Sequence, residues 1–128
     1  MNDERGMSVR REVLGDDHVD RAERNSTEFS ADFQQMIQRW PWGEIWTRPG
    51  LDRRTRSCIT LAALMSLGHF EELGIHVRAA LRSGVSRAEI KEVLLHVTVY
   101  AGVPAGNRAF AVAQRVLSET EGEGEAGE

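Results

Sequence analysis

Between Phe33 and Leu117 the apolar residues return every three or four positions, and glycine or proline interrupts them at short intervals. That spacing puts one apolar stripe on each segment if the segment is helical. No stretch alternates with period two for long enough to make a strand. The chain is therefore expected to be all-α, with helices joined by short loops. Phe33, Met36 and Ile37 mark a first helix over residues 30–39. Trp40-Pro41-Trp42-Gly43 breaks it, and the residues up to Pro49-Gly50 form an ordered aromatic loop between two prolines. Asp52 caps a helix that ends at Leu67 before Gly68 and packs through Ile59, Ala62, Ala63 and Ser66. Residues 70–82 form the next helix, stopped by Gly84. Ser86-Arg87-Ala88-Glu89 has the form of a capping box. The helix it opens turns Ile90, Val93, Leu94, Val97 and Tyr100 inward and ends at Gly102. Pro104 fits the first turn of a last helix carrying Ala109, Phe110, Ala113, Val116 and Leu117.

At 128 residues, with 41% apolar and 28% charged side chains, the chain has the size and balance of one soluble globular domain. The longest apolar run, Cys58 to Met65 with one threonine inside, is far short of a membrane span. Met-Asn-Asp-Glu-Arg lacks the form of a secretory signal, so the expected compartment is the cytoplasm. Cys58 is the single cysteine, which leaves no disulfide or CxxC motif. It is read as a small hydrophobe. The formal net charge of −4 gathers in the tail: Ser118 to Glu128 carries five glutamates, and the rest holds 15 acidic against 16 basic residues, a net of +1. A nucleic-acid binder usually shows a basic excess, and none is present. The expected organisation is a charged arm over residues 1–27 with a short helix near Val19, a helical domain over 28–117, and a disordered Glu/Gly tail over 118–128. The alanine-rich helices bury little surface alone, so association with identical copies is expected, through the tryptophan loop or the Phe110 helix.

His69, Glu72 and His76 fall within roughly 60° of one another on a helix turning about 100° per residue. Three readings stand on that spacing. His69 caps the helix and Glu72 pairs with His76 on a solvated face; or Glu72 orients one imidazole for proton transfer; or the three ligate a metal. Arg53, Arg54 and Arg56 crowd a helix start, where the macrodipole disfavours cations. Either a carboxylate ligand or an acidic neighbour would compensate them. Trp42 and Trp46 either wall a small-molecule pocket or cover the core. His96 lies among apolar residues and is read as a core histidine. Asp16-Asp17-His18-Asp20 resembles a metal site on paper but is read as solvated.

Taken together, Trp42-Gly43-Glu44-Ile45-Trp46-Thr47-Arg48-Pro49-Gly50-Leu51-Asp52, Glu72-Leu73, His76-Val77-Arg78-Ala79-Ala80-Leu81, Gly84-Val85 and Tyr100-Ala101-Gly102-Val103-Pro104 resemble the 4-carboxymuconolactone (γ-carboxymuconolactone) decarboxylase family. The resemblance covers about residues 10–117. It implies the helical bundle of the alkylhydroperoxidase D-like superfamily, in an oligomer built on trimers, a trimer or hexamer. In the redox branch of that superfamily a CxxC pair precedes a histidine by four residues. Alignment on Gly84 puts His69 and Glu72 at the cysteine positions and His76 at the histidine, so peroxide chemistry is not expected. The implied activity is cofactor-independent decarboxylation of 4-carboxymuconolactone to the β-ketoadipate enol-lactone, a step of protocatechuate degradation. No metal, cofactor, nucleic acid or membrane is called for. His76 is the expected proton donor, Glu72 orients and charges it, and His69 donates to the lactone oxyanion. Arg56 and Arg53 bind substrate carboxylates, and Trp46 walls the pocket. The alternatives are a related decarboxylase or isomerase acting on another lactone or β-keto acid, and a silent helical oligomer that binds small carboxylates.

Overall fold

The computed structural model describes the backbone of residues 2–127 and the side chains of residues 4–121. Among these the chain is all-α: seven α-helices and one π-helical segment. It divides into two compact units, residues 1–53 and 54–128, a division that falls away from the expected boundary at residue 28.

The first unit holds α1 (Asn2–Leu14), α2 (Asp16–Arg24), α3 (Ala31–Ile37) and the π-helical segment π1 (Gln38–Ile45). The residues expected to be a charged arm with one short helix thus form two helices with a buried side. Val9, Val13 and Val19 are buried along with Trp42. Arg11 ties α1 to α2 through Asp16 at 3.0 Å, Asp20 at 2.8 Å and Glu23 at 3.4 Å. Asp16 and Asp20 are therefore ion-paired and not merely solvated. The aromatic loop is helical too. Pro41 has no N–H to give to an ordinary helical turn, and the backbone widens so that the Trp46 N–H reaches the Pro41 carbonyl at 2.8 Å, five residues back. Against π1 packs α1, and at Gly6 the backbones nearly touch: a Cβ there would stand 2.1 Å from the Gln38 carbonyl oxygen.

In the second unit α4 (Arg53–Leu67), which begins at the boundary, is followed by α5 (Phe70–Arg82), α6 (Arg87–Ala101) and α7 (Val103–Gly127). The α7 helix packs along both α5 and α6. Leu61, Met65, Leu73, Val77, Ile90, Leu94, Ala109 and Ala113 are the centre of one apolar core. The capping box forms as expected: the Glu89 N–H donates to Ser86 Oγ at 3.1 Å, and the Ser86 N–H donates to the Glu89 carboxylate at 3.0 Å.

Three expectations need correction. The buried side of α4 is Ser57, Leu61 and Met65, while Ile59, Ala63 and Ser66 are exposed. On α6, Tyr100 is 78% exposed, and His96 is exposed beside it with ring centroids 5.4 Å apart, so neither is a core residue. Beyond Leu117 the helix continues through the start of the expected tail. Arg78 holds Glu119 at 2.9 Å, Arg87 holds Glu121, and Thr120 Oγ1 donates to the Val116 carbonyl. These contacts supply what the local composition lacks. For residues 122–128 the side chains lie outside the described residues. No described helix is long and apolar enough to cross a membrane.

Candidate active site

The face that carries His69, Glu72 and His76 is fixed by the turn between α4 and α5. Gly68 adopts φ +79°, a left-handed conformation that a side chain resists, and the His69 N–H then bonds the Leu64 carbonyl at 2.9 Å. His69 becomes the N-cap residue of α5, yet its side chain makes no capping hydrogen bond. The exposed imidazole is thus not consumed in ending the helix. Glu72 lies in the first turn, where the helix dipole favours an anion. One turn further, His76 is half-buried beside the buried Leu73, Val77 and Ala80 and is engaged with another group.

At 1.5 Å of rise per residue, Glu72 and His76 are separated by about 6 Å along the axis, and His69 and His76 by about 10 Å. Glu72 and His76 stand one turn apart on α5, and His69 precedes the first residue of that helix. Among the described residues no group of three or more His, Cys, Asp or Glu side chains is arranged to hold a metal ion, and this trio is no exception. The arrangement suits an acid–base pair at positions i and i+4, with a second imidazole one turn before it.

The arginines at the start of α4 part company. Arg53 pairs with Glu12 at 2.6 Å. Arg54 pairs with Glu89 and donates from Nε to the Gly84 carbonyl at 3.3 Å. For these two, acidic neighbours provide the compensation that the helix start demands. Arg56 is half-buried and also engaged with another group.

Trp42 and Trp46 divide the two roles weighed for them. Trp42 is buried in the first unit, and Trp46 stacks on it at 5.1 Å with a 31° tilt. Trp46 then walls a cavity of about 470 Å³ that it shares with Arg53, Arg5, Arg48, Glu12 and Thr47. The structure therefore brings Trp46 and Arg53 together in the unit of residues 1–53. His69, Glu72, His76 and Arg56 all belong to the unit of residues 54–128. Sequence reasoning gave no role to Arg5 and Arg48. For Arg48 the signal was present, two residues after Trp46 within the stretch already singled out.

The chain thus combines an all-helical fold with an imidazole–carboxylate pair on α5 and, in its other unit, an arginine-rich cavity walled by Trp46. Residues 31–115 match the model of the carboxymuconolactone decarboxylase family, and the chain belongs to that family. It is 48% identical to a 4-carboxymuconolactone decarboxylase of Acinetobacter baylyi, over 93% of this chain and 92% of that one. It is 42% identical to a nitrosuccinic acid decarboxylase of Metarhizium robertsii, over 94% of this chain and 84% of the relative. A 15.0 kDa protein of Paracoccus denitrificans is 34% identical over 69% of this chain and 66% of its own length.

Proposed function

We propose that this chain is a carboxy-lyase that decarboxylates 4-carboxymuconolactone to the β-ketoadipate enol-lactone without a cofactor, in the degradation of protocatechuate. The observation that carries this reading is the 48% identity to the Acinetobacter decarboxylase across nearly the whole of both chains. Two features agree with it: the acid–base pair of α5, and the arginines suited to a substrate with two carboxylates.

The reaction breaks the bond between the ring γ carbon and its carboxylate. CO2 leaves, and the electron pair passes through the ring double bond to the lactone carbonyl oxygen, giving an oxyfuran-like anion. A proton delivered to the α carbon then completes the enol-lactone. His76 is the donor, and Glu72 orients its ring and stabilises the charged imidazolium before transfer. His69 donates to the developing oxyanion. Arg56 and Arg53 hold the carboxylates through planar, two-pronged hydrogen bonds, and Trp46 walls the lactone. The active species is a homo-oligomer, a trimer or hexamer, acting in the cytoplasm. Leu95, Val99, Tyr100 and Val103 stand exposed on and just beyond α6 and offer apolar surface for association.

The test is release of CO2 from 4-carboxymuconolactone by the purified protein. Binding of the lactone without CO2 would leave a silent carboxylate-binding oligomer. A second reading, decarboxylation of a different acid, is favoured by the 42% identity to a nitrosuccinic acid decarboxylase. Turnover of nitrosuccinate with inert carboxymuconolactone would establish it in place of the first.

A further inference from the structure

The first unit holds a second polar cavity, of about 320 Å³, lined by Arg10, Glu23, Ser26, Gln34, Gln35 and Gln38 together with Ala31. None of these residues has a part in the reaction described above. Arg10 is its unusual member. It is 6% exposed, and its Nε is buried without a hydrogen-bond partner. A guanidinium stays charged in any protein environment; the charge of Glu23 favours it, while an N–H buried without a hydrogen bond is costly. Among the described residues of the lining Glu23 is the one carboxylate, and it extends toward Arg11 at 3.4 Å with half of its side chain in solvent. The remaining polar wall consists of a hydroxyl and three amides, all able to donate hydrogen bonds. One guanidinium with neutral donors around it suits a planar carboxylate. With Glu23 in the wall, a single negative charge is accommodated better than two.

We propose that this cavity binds a small monocarboxylate, with Arg10 as its countercharge and Ser26, Gln34 and Gln35 as donors in the wall. The site is built from α1, α2, α3 and the residues that join or follow them. It stands independently of the substrate assigned to the chain.

His18 provides a local reporter. Burial first, then the charges of Arg10 and Arg21, hold its imidazole below the ordinary histidine range. The other charges around Arg10 are Arg11 from α1 and Glu23 from α2. A carboxylate seated against Arg10 offsets one of the cations that oppose protonation of His18.

The experiment is an NMR titration of His18 in the full chain, assigned with His18→Gln. It is run in sodium acetate, in sodium chloride and in inorganic phosphate at equal ionic strength. The expected result is an upward, saturable shift of the His18 midpoint in acetate relative to chloride. In Arg10→Gln the midpoint starts higher and the acetate response is lost. Gln35→Glu, at an exposed wall position, leaves the fold intact and weakens acetate at least tenfold. Equal midpoints in acetate and chloride, or an undiminished response in Arg10→Gln, would overturn the proposal. Phosphate acting at lower concentration than acetate would overturn the monocarboxylate assignment. If Arg10→Gln does not fold, Gln35→Glu decides alone, and an unweakened response there is fatal.

Discussion

His76 stands one turn beyond Glu72 and is partly buried, and the proposed reaction makes it the proton donor. General acids typically contribute roughly 10²- to 10⁴-fold, so His76→Ala should lower kcat by about that factor. His76→Gln, which cannot titrate, should be nearly as poor. Glu72→Gln should cost less, because an amide still holds the ring. Arg56→Gln should act mainly on KM, since carboxylate binding is shared by substrate and transition state. Near-normal kcat in folded His76→Ala, with only its melting temperature lowered, would make the residue structural. A separate pH effect belongs to His18. Its folded state resists protonation because of burial and then Arg10 and Arg21, so the unfolded chain takes up the proton first as pH falls. Stability is therefore full above the ordinary histidine range and declines on acidification below it. Melting curves from pH 7.5 to 5 should show that decline in wild type and a shallower one in His18→Gln. The helix that carries Glu72 and His76, with His69 at its N-cap, is legible because Gly68 and Gly84 give it clear ends. The grouping of Arg5 and Arg48 with Trp46 is not, because it depends on how α1 packs against π1.

At the scale of elements, legibility followed the contrast between faces. The ends of α5 and the capping box of α6 carry their own local chemistry and were read directly. The side of α4 was not: Ile59, Leu61, Ala62, Ala63, Leu64, Met65 and Leu67 surround the helix with apolar groups, and periodicity cannot choose among them. The opposite difficulty hid α1, where Val9 and Val13 at i and i+4 are thin apolar signals among charges. Its packing makes a sharp prediction. Gly6→Ala drives a methyl into the Gln38 carbonyl, a backbone atom that cannot swing away, and should cost about 1–3 kcal/mol. Gly50→Ala meets nothing within 4 Å and should stay within about 0.5 kcal/mol of wild type. Urea melts of the two variants make the comparison. At the far end, the pairs of Glu119 with Arg78 and Glu121 with Arg87 are partly exposed. Glu119→Gln should therefore cost no more than about 1 kcal/mol. Truncation after Ser118 should leave activity close to wild type while lowering the melting temperature slightly, and loss of the fold would give the helix end a larger part.

For the molecule as a whole, the proposed chemistry runs on protein side chains alone, and the spacing of His69, Glu72 and His76 along one helix does not make a ligand cage. Dialysis against a strong chelator should leave turnover unchanged; a large loss restored by zinc or manganese would overturn that account. What the sequence conveyed at this scale was the family and the helical class. The division into two compact units escaped it, because no linker composition marks the passage from Arg53 to Arg54. The widened turn at Pro41 has a consequence of its own. An α-helix closes each turn with one residue fewer, and removing Gly43 or Glu44 would bring Trp46 one position closer to Trp42 along the helix. Trp46 would then leave its place against Trp42, and the wall it provides would swing elsewhere with both tryptophans still present. In this segment the count of residues carries the instruction as much as their identities. A single-codon deletion is therefore a harsher test of the cavity than any substitution within it.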